Sequence, residues 1–155
     1  MAVVYLSLGS NIDPDQNLRR AVQALNEVGQ VDAVSAAWET PPVGTSGANF
    51  LNAAVKFRTE YTSEGLKSQV LRPIEHQMGR VRTRDKFAPR TIDLDILLFD
   101  GFLMEAGLWQ QVHLAAPLAE LIPDYENPET HETLQQAAQR LLRRTPCRVR
   151  SDIFL

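Results

Sequence analysis

Short alternating apolar runs, amphipathic helices set between them, and the absence of any long apolar stretch predict an α+β fold for this 155-residue chain. Residues 3–8, Val3-Val4-Tyr5-Leu6-Ser7-Leu8, read as a buried first strand that Gly9-Ser10-Asn11 breaks. Asp13-Pro14-Asp15-Gln16 then starts a helix, with Asp13 as N-cap, Pro14 at the first helical position and Gln16 three residues beyond the cap. Leu18, Ala21, Val22, Leu25 and Val28 form its apolar stripe, and Gly29 ends it. Residues 31–38 read as a second, less sharply patterned strand. A Pro- and Gly-rich loop over 40–48 leads to a third strand over 50–61, where Leu51, Ala53, Val55 and Phe57 alternate with their neighbours.

The second helix starts near Ser63-Glu64, buries Leu66, Val70 and Ile74, and stops at Gly79. Pro73 lies inside it, removing one backbone hydrogen bond and predicting a kink. After a basic stretch a fourth strand runs to Phe99. The order β-α-β-β-α-β predicts a ferredoxin-like antiparallel sheet with its helices on one face. A C-terminal helical extension follows, with helices predicted over 114–121 and from about 132 to 144, the latter striped by Leu134, Ala137, Ala138 and Leu141. Residues 149–155 read as an edge strand or a tail. No repeat, linker or low-complexity segment divides the chain, so residues 1–155 are expected to form one domain.

Composition narrows the function classes. A hydrophobic fraction of 44% is ordinary for a globular protein, and a net charge of −3 argues against a general nucleic-acid binder. No run approaches the roughly 18 apolar residues of a membrane span. The start, Met1-Ala2-Val3-Val4-Tyr5-Leu6, lacks a basic leader region, and the single cysteine, Cys147, excludes an internal disulfide. A cytoplasmic location is the expectation, with no membrane and no nucleic-acid partner, and a monomeric or weakly homo-oligomeric state.

The densest chemical signal lies at Pro89-Arg90-Thr91-Ile92-Asp93-Leu94-Asp95-Ile96-Leu97. Read as a strand, Ile92, Leu94 and Ile96 take one face and Asp93 and Asp95 the other, their Cα atoms roughly 6.5 Å apart. An isolated Asp-x-Asp is more often the acidic face of a half-buried strand. Here Arg80, Arg82, Arg84, Lys86 and Arg90 precede it with only Asp85 among them, and two hard oxygen ligands beside a phosphate-binding cluster point to nucleotide chemistry with Mg²⁺. A cluster of this kind with Phe87 also admits RNA backbone binding. Three further regions are candidates: the loop over 40–50, Asn52 in the third strand, and Glu75 on the second helix. His76, His113 and His131 have no metal-ligand spacing, and no P-loop or Gly-rich dinucleotide motif is present.

These residues together resemble the 6-hydroxymethyl-7,8-dihydropterin pyrophosphokinase family. The likeness rests on Leu6-Ser7-Leu8-Gly9-Ser10-Asn11, Glu39-Thr40-Pro41-Pro42-Val43-Gly44, Asn49-Phe50-Leu51-Asn52-Ala53-Ala54-Val55, Ile74-Glu75-His76-Gln77-Met78-Gly79-Arg80-Val81-Arg82 and Ala88-Pro89-Arg90-Thr91-Ile92-Asp93-Leu94-Asp95-Ile96, in the family's order. It implies pyrophosphate transfer from ATP to the pterin hydroxymethyl oxygen, releasing AMP. It also implies two Mg²⁺ ions on Asp93 and Asp95. Arg80, Arg82 and Arg90 would meet ATP and its phosphates and carry catalysis, and Glu75 would lie on the nucleotide side. Thr40, Pro41, Val43, Phe50 and Asn52 would line the pterin slot, and Phe87 would stack.

The chain departs from the family pattern at Phe87, where a Trp is usual, and beyond Phe99. There the family carries a Pro-His segment, a further arginine and a phenylalanine. Here Gly107-Leu108-Trp109-Gln110-Gln111-Val112-His113-Leu114-Ala115-Ala116 is shortened, and no Lys or Arg occurs between Arg90 and Arg140. Trp109 and His113 are either substitutes or packing residues. The alternative readings are a homologue that binds pterin or ATP with weak activity or a different acceptor and, more remotely, an RNA-binding module.

Overall fold

The computed structural model describes residues 1–42, 47–80 and 91–155. Its sheet is antiparallel and built on β1 (Ala2–Ser10), which pairs along its length with β4 (Phe50–Thr59) and on its other side with β5 (Asp93–Phe99). The predicted second strand is two strands, β2 (Gln30–Val34) and β3 (Trp38–Thr40), both paired with β4. Ser35 interrupts them because its hydroxyl, not a backbone group, accepts the Ala54 N–H at 2.8 Å. β6 (Phe102–Leu103) turns back on β5 through Asp100 and Gly101, both at positive φ, as a tight two-residue hairpin requires.

Helix α1 (Pro14–Val28) begins at the predicted residue, but not with the predicted cap. Asp13 adopts a left-handed conformation and its side chain caps nothing; Asn17 Nδ2 donates to the Ile12 carbonyl at 2.6 Å and ties the entry instead. The second helical segment starts on Thr62, whose hydroxyl accepts from the Gly65 N–H, and runs as α2 (Ser63–Leu66), one π-turn (Lys67–Leu71) and α3 (Arg72–Gln77). The strain predicted at Pro73 is thus taken up by a wider turn just before it, in which the Arg72 N–H donates to the Lys67 carbonyl. Gly79, at φ 89°, closes α3 with paired bonds, Gly79 N–H to His76 O and Arg80 N–H to Glu75 O, both 3.0 Å. This closure turns Arg80 back beside Glu75.

One face of the sheet buries Val4, Leu6, Leu8, Val55, Phe57 and Leu94 against Leu18, Ala21 and Leu25 of α1 and Leu66, Leu71 and Ile74 of the second helical segment. The other face is covered by the C-terminal extension, α4 (Val112–Leu121) and α5 (Leu134–Arg144). The latter starts with a capping box between Thr133 and Gln136. A register shift between Tyr5 and Leu6 leaves Leu97 unpaired in β5, so Leu97 and Leu98 both join this second core with Leu108, Trp109, Leu114 and Leu118. The tail forms β7 (Arg148–Val149) on the outer edge of β3. Arg150 then donates its N–H to the Ala37 carbonyl and its guanidinium to Asp152 and Glu39, which closes an edge open to pairing with other chains.

Gly29, the stop of α1, sits where no larger residue fits: a Cβ there would stand 2.3 Å from Phe57 Cζ and 2.8 Å from the Arg58 carbonyl oxygen. The carbonyl belongs to a paired strand and cannot yield. We expect Gly29→Ala to lose about 1–3 kcal/mol of stability by overpacking, read from urea unfolding followed by circular dichroism.

Candidate active site

The register of the central strands assembles the site. Asp93 lies opposite Gly9, Gly9 opposite Asn52, and Asn52 opposite Trp38, so one cross-strand row carries these residues on a single sheet face. At the usual strand spacing Asp93 and Asn52 stand about 10 Å apart across the bare Gly9. Asp95 heads the next row, opposite Ser7. Asn52 is buried and its Nδ2 donates to the Thr40 hydroxyl, itself buried. Its Oδ1 is directed over Gly9, 2.9 Å from where a Cβ on that residue would stand. Phe50 pairs with Thr40 and edges the same end, with Pro41 exposed beside it. At the end of the row Trp38 Nε1 donates to Glu120 Oε2 at 2.7 Å, which fastens α4 to β3.

The acidic end is held by an alternating chain of charges. Arg80 Nη1 lies 2.7 Å from Asp93 Oδ1 and 2.8 Å from Glu75 Oε2. Arg72 Nη1 lies 2.9 Å from Glu75 Oε1, and Arg72 Nη2 3.7 Å from Asp95 Oδ1. Glu75 is only 2% exposed, and its Oε2 also accepts the Leu94 N–H at 2.8 Å. Burial works against the charge on Arg80, but the Asp93 and Glu75 carboxylates outweigh it and raise the guanidinium pKa. The Asp95 carboxyl is pushed up to about 6, by burial first and by the Asp93 charge second, with Arg72 opposing both. Two carboxylates on one face, one of them short of positive charge, suit a hard divalent cation. Among the described residues no cluster of three or more His, Cys, Asp or Glu exists.

Beside Asp95 a cavity of about 280 Å³ opens between the second helical segment and the outer edge of β5. Leu71, Ile96 and Met104 supply apolar wall, Lys67 and Arg72 supply positive charge, and Glu64, Asp95 and Glu105 supply negative charge. Reading the sequence missed this cavity and Arg72; the only signal for Arg72 was its place on the same helix as Glu75, one turn earlier.

Of the residues expected at the site, Thr40, Phe50 and Asn52 come together, as do Glu75, Arg80, Asp93 and Asp95. Val43, Arg82, Phe87 and Arg90 lie outside the described residues. In the shortened segment Trp109 is a packing residue, buried in the second core and stacked on Tyr125 at 6.1 Å between centroids. His113 occupies the first turn of α4, half-buried. Arg140 is committed to structure, its guanidinium paired with Glu132 and the Trp109 carbonyl.

The fold and site define a ferredoxin-like α+β protein with an arginine-lined acidic centre. Wild-type HPPK-DHPS of Plasmodium falciparum shares the fold, with a TM-score of 0.75 at 12% identity over 92% of this chain and 41% of that one. Residues 5–123 match the family of 7,8-dihydro-6-hydroxymethylpterin-pyrophosphokinase (HPPK), and this chain belongs to it. It is 35% identical over 151 residues to the 2-amino-4-hydroxy-6-hydroxymethyldihydropteridine pyrophosphokinase of Bacillus subtilis, covering 90% of this chain and 89% of that protein. The Methylorubrum extorquens protein of the same name is 39% identical over 136 residues, 80% of this chain and 85% of its own length. Folic acid synthesis protein fol1 of Schizosaccharomyces pombe is 34% identical over 151 residues, but this chain spans only 20% of it.

Two outcomes follow from the site's geometry. Gly9→Ala places a methyl against Asn52 Oδ1, so it should impair binding at the amide end of the row with divalent-cation binding at the acidic end retained, as read by calorimetry. For Asp95, the folded pKa of about 6 exceeds the unfolded value, so the metal-free fold binds the proton more tightly and loses stability as pH rises from about 4 through 6. Asp95→Asn should therefore stabilise the metal-free protein at pH 7.5 and make little difference at pH 4. Because the Asp95 side chain is 44% exposed, solvent screening limits the gain to about 1 kcal/mol, or about 2–4 °C in Tm.

Proposed function

We propose that this chain transfers pyrophosphate from ATP to the hydroxymethyl oxygen of 6-hydroxymethyl-7,8-dihydropterin, giving AMP and the pterin diphosphate of folate biosynthesis. Membership of the HPPK family supports the reaction. The observation that carries the reading of this chain's own residues is the row Asp93–Gly9–Asn52, which sets a phosphate-handling end and an amide end on one floor. The cavity beside Asp95 takes the nucleotide, with Leu71 and Ile96 against the base and Lys67 toward its negative charge. Asn52, held by Thr40, reads the pterin's donor–acceptor edge, and Phe50 lies against its flat ring. Pro41 and Val43 complete that slot, and Phe87 stacks.

Transfer of this kind needs the alcohol placed in line and the phosphate charge neutralised, with little covalent work from the protein. Asp93 and Asp95 would hold Mg²⁺, which supplies neutralisation of the polyphosphate oxygens. Arg80, Arg82 and Arg90 add fixed positive charge at the transferred group, and Glu75 keeps Arg80 aligned on the nucleotide side. The hydroxymethyl oxygen attacks the β-phosphorus, the bond to the α-phosphate bridging oxygen breaks, AMP leaves and the hydroxyl proton passes to solvent. Residues 1–155 act here as one domain, monomeric or weakly associated. A cytoplasmic location agrees with the single cysteine, and no helix among the described residues is long and apolar enough to cross a membrane.

One observation favours the weaker alternative of a binder with slow transfer: Trp109 is engaged in packing, which leaves His113, half-buried in the first turn of α4, as the remaining candidate to substitute for the family's late arginine. Chromatographic assay of ATP, Mg²⁺ and the dihydropterin separates the two. Equal amounts of AMP and pterin diphosphate are expected, and ATP binding without turnover would establish the alternative. In the same assay Asp95→Ala should lower kcat at least 100-fold with the fold intact by circular dichroism, since charge neutralisation dominates such transfers.

A further inference from the structure

Among the described residues β5 has no partner strand along most of its outer edge, since β6 pairs with Leu98 and Phe99. Midway along that edge, between the two aspartates, Leu94 points its N–H and C=O outward, and helix side chains take both. The N–H donates to Glu75 Oε2 at 2.8 Å, and the C=O accepts from Arg72 Nη1 at 3.0 Å. The same Nη1 donates to Glu75 Oε1 at 2.9 Å. One carboxylate and one guanidinium stand in for a missing neighbour strand, at the one residue whose two peptide planes carry Asp93 and Asp95.

We infer that Arg72 is a positioning residue for the reaction: by clamping Leu94 from outside the sheet it sets the direction of both carboxylates toward the divalent cation. This rests on the reading of Asp93 and Asp95 as metal ligands. The contact between Arg72 Nη2 and Asp95 Oδ1, 3.7 Å, is too long for a hydrogen bond. The geometry therefore assigns the guanidinium's hydrogen bonds to the clamp, and its charge reaches Asp95 only through space. The two roles have opposite signs. A counter-ion competes with a metal, so its removal tightens metal binding, whereas removal of a clamp loosens it. Lysine keeps the charge, but its Nζ ends one bond short of the arginine Nη1 that bonds both the Leu94 carbonyl and Glu75.

The test uses the whole chain with Arg72→Met and Arg72→Lys. In the metal-free protein, amide exchange at Leu94, followed by NMR, should accelerate roughly tenfold in Arg72→Met, with the β1–β5 ladder amides unchanged. Mn²⁺ affinity without nucleotide, from electron paramagnetic resonance titration, should fall about tenfold, the usual effect of losing a residue that orients a ligand. kcat should fall in parallel while KM for the pterin holds. Arg72→Lys should lie nearer the Met variant than the wild type, and being the milder change it serves if Arg72→Met does not fold. Unchanged Leu94 exchange, or Mn²⁺ binding that is unchanged or tighter, overturns the inference. So does a loss of nucleotide affinity with Mn²⁺ affinity intact, which would make Arg72 a direct nucleotide contact. Failure of the wild type to bind Mn²⁺ would remove the metal reading itself, whereas binding by the wild type with no change in the variants removes only the clamp.

Discussion

Glu75 carries a carboxylate into a position only 2% exposed, and the acidic end of the site is organised around making that tolerable. An unpaired carboxylate there would go unionised or unfold the region, because its hydration is lost and nothing replaces it. Among the described residues Arg72, Arg80 and the Leu94 N–H donate to this carboxylate. The two guanidinium groups bind something else as well, Arg72 the Leu94 carbonyl and Arg80 Asp93, so satisfying one buried charge ties the helix end, the strand edge and Asp93 into a single unit. The closing turn at Gly79 contributes by returning Arg80 to within reach of Glu75. Chemistry that depends on two carboxylates held side by side thus draws its rigidity from a third carboxylate that faces away from solvent.

The opposite end of the site depends on an absence of side chain. Gly9 lies between Asp93 and Asn52 in the cross-strand row, and even a methyl there would press on the Asn52 carbonyl oxygen. A strand interior normally disfavours glycine, which packs nothing and is costly to order. Here the gap leaves a flat floor about 10 Å long between a group suited to metal and phosphate and a group suited to a hydrogen-bonding heterocycle. The C-terminal helices cover the remainder of this face with a second core, and the Trp38–Glu120 bond fastens that cover at the far end of the row.

The segment after Phe99 is given over to packing. Leu108 and Trp109 go into the second core, Trp109 against Tyr125, and Arg140 braces the turn by holding Glu132 and the Trp109 carbonyl. Among the described residues, positive charge at the acidic centre comes from Arg72 and Arg80, on either side of the turn at Gly79.

Much of this was legible in the sequence because it follows from local rules. Alternation at Leu51, Ala53, Val55 and Phe57 and at Ile92, Leu94 and Ile96 marks strands and assigns their faces, and within a strand the i, i+2 spacing puts Asp93 and Asp95 on one face. Pro14 and Gly29 bracket α1, and the element order implies the sheet. Local rules also failed in identifiable places. Asp13 has the composition of a cap but not its geometry, and the stress at Pro73 became a π-turn because the rest of the helix had to keep Leu66, Leu71 and Ile74 on the sheet. Register, the Leu97 bulge and the partners of Glu75 were beyond reach, since each depends on residues far apart in the chain meeting at hydrogen-bond distance. The sequence by itself determined which chemistry the chain can perform, since oxygen ligands, guanidinium groups and an amide are properties of residues. Only the tertiary structure decided that Gly9 is the floor, that Leu94 is clamped and that Arg72 belongs to the site, because pairing across strands and burial of a charge arise from packing rather than from any one segment.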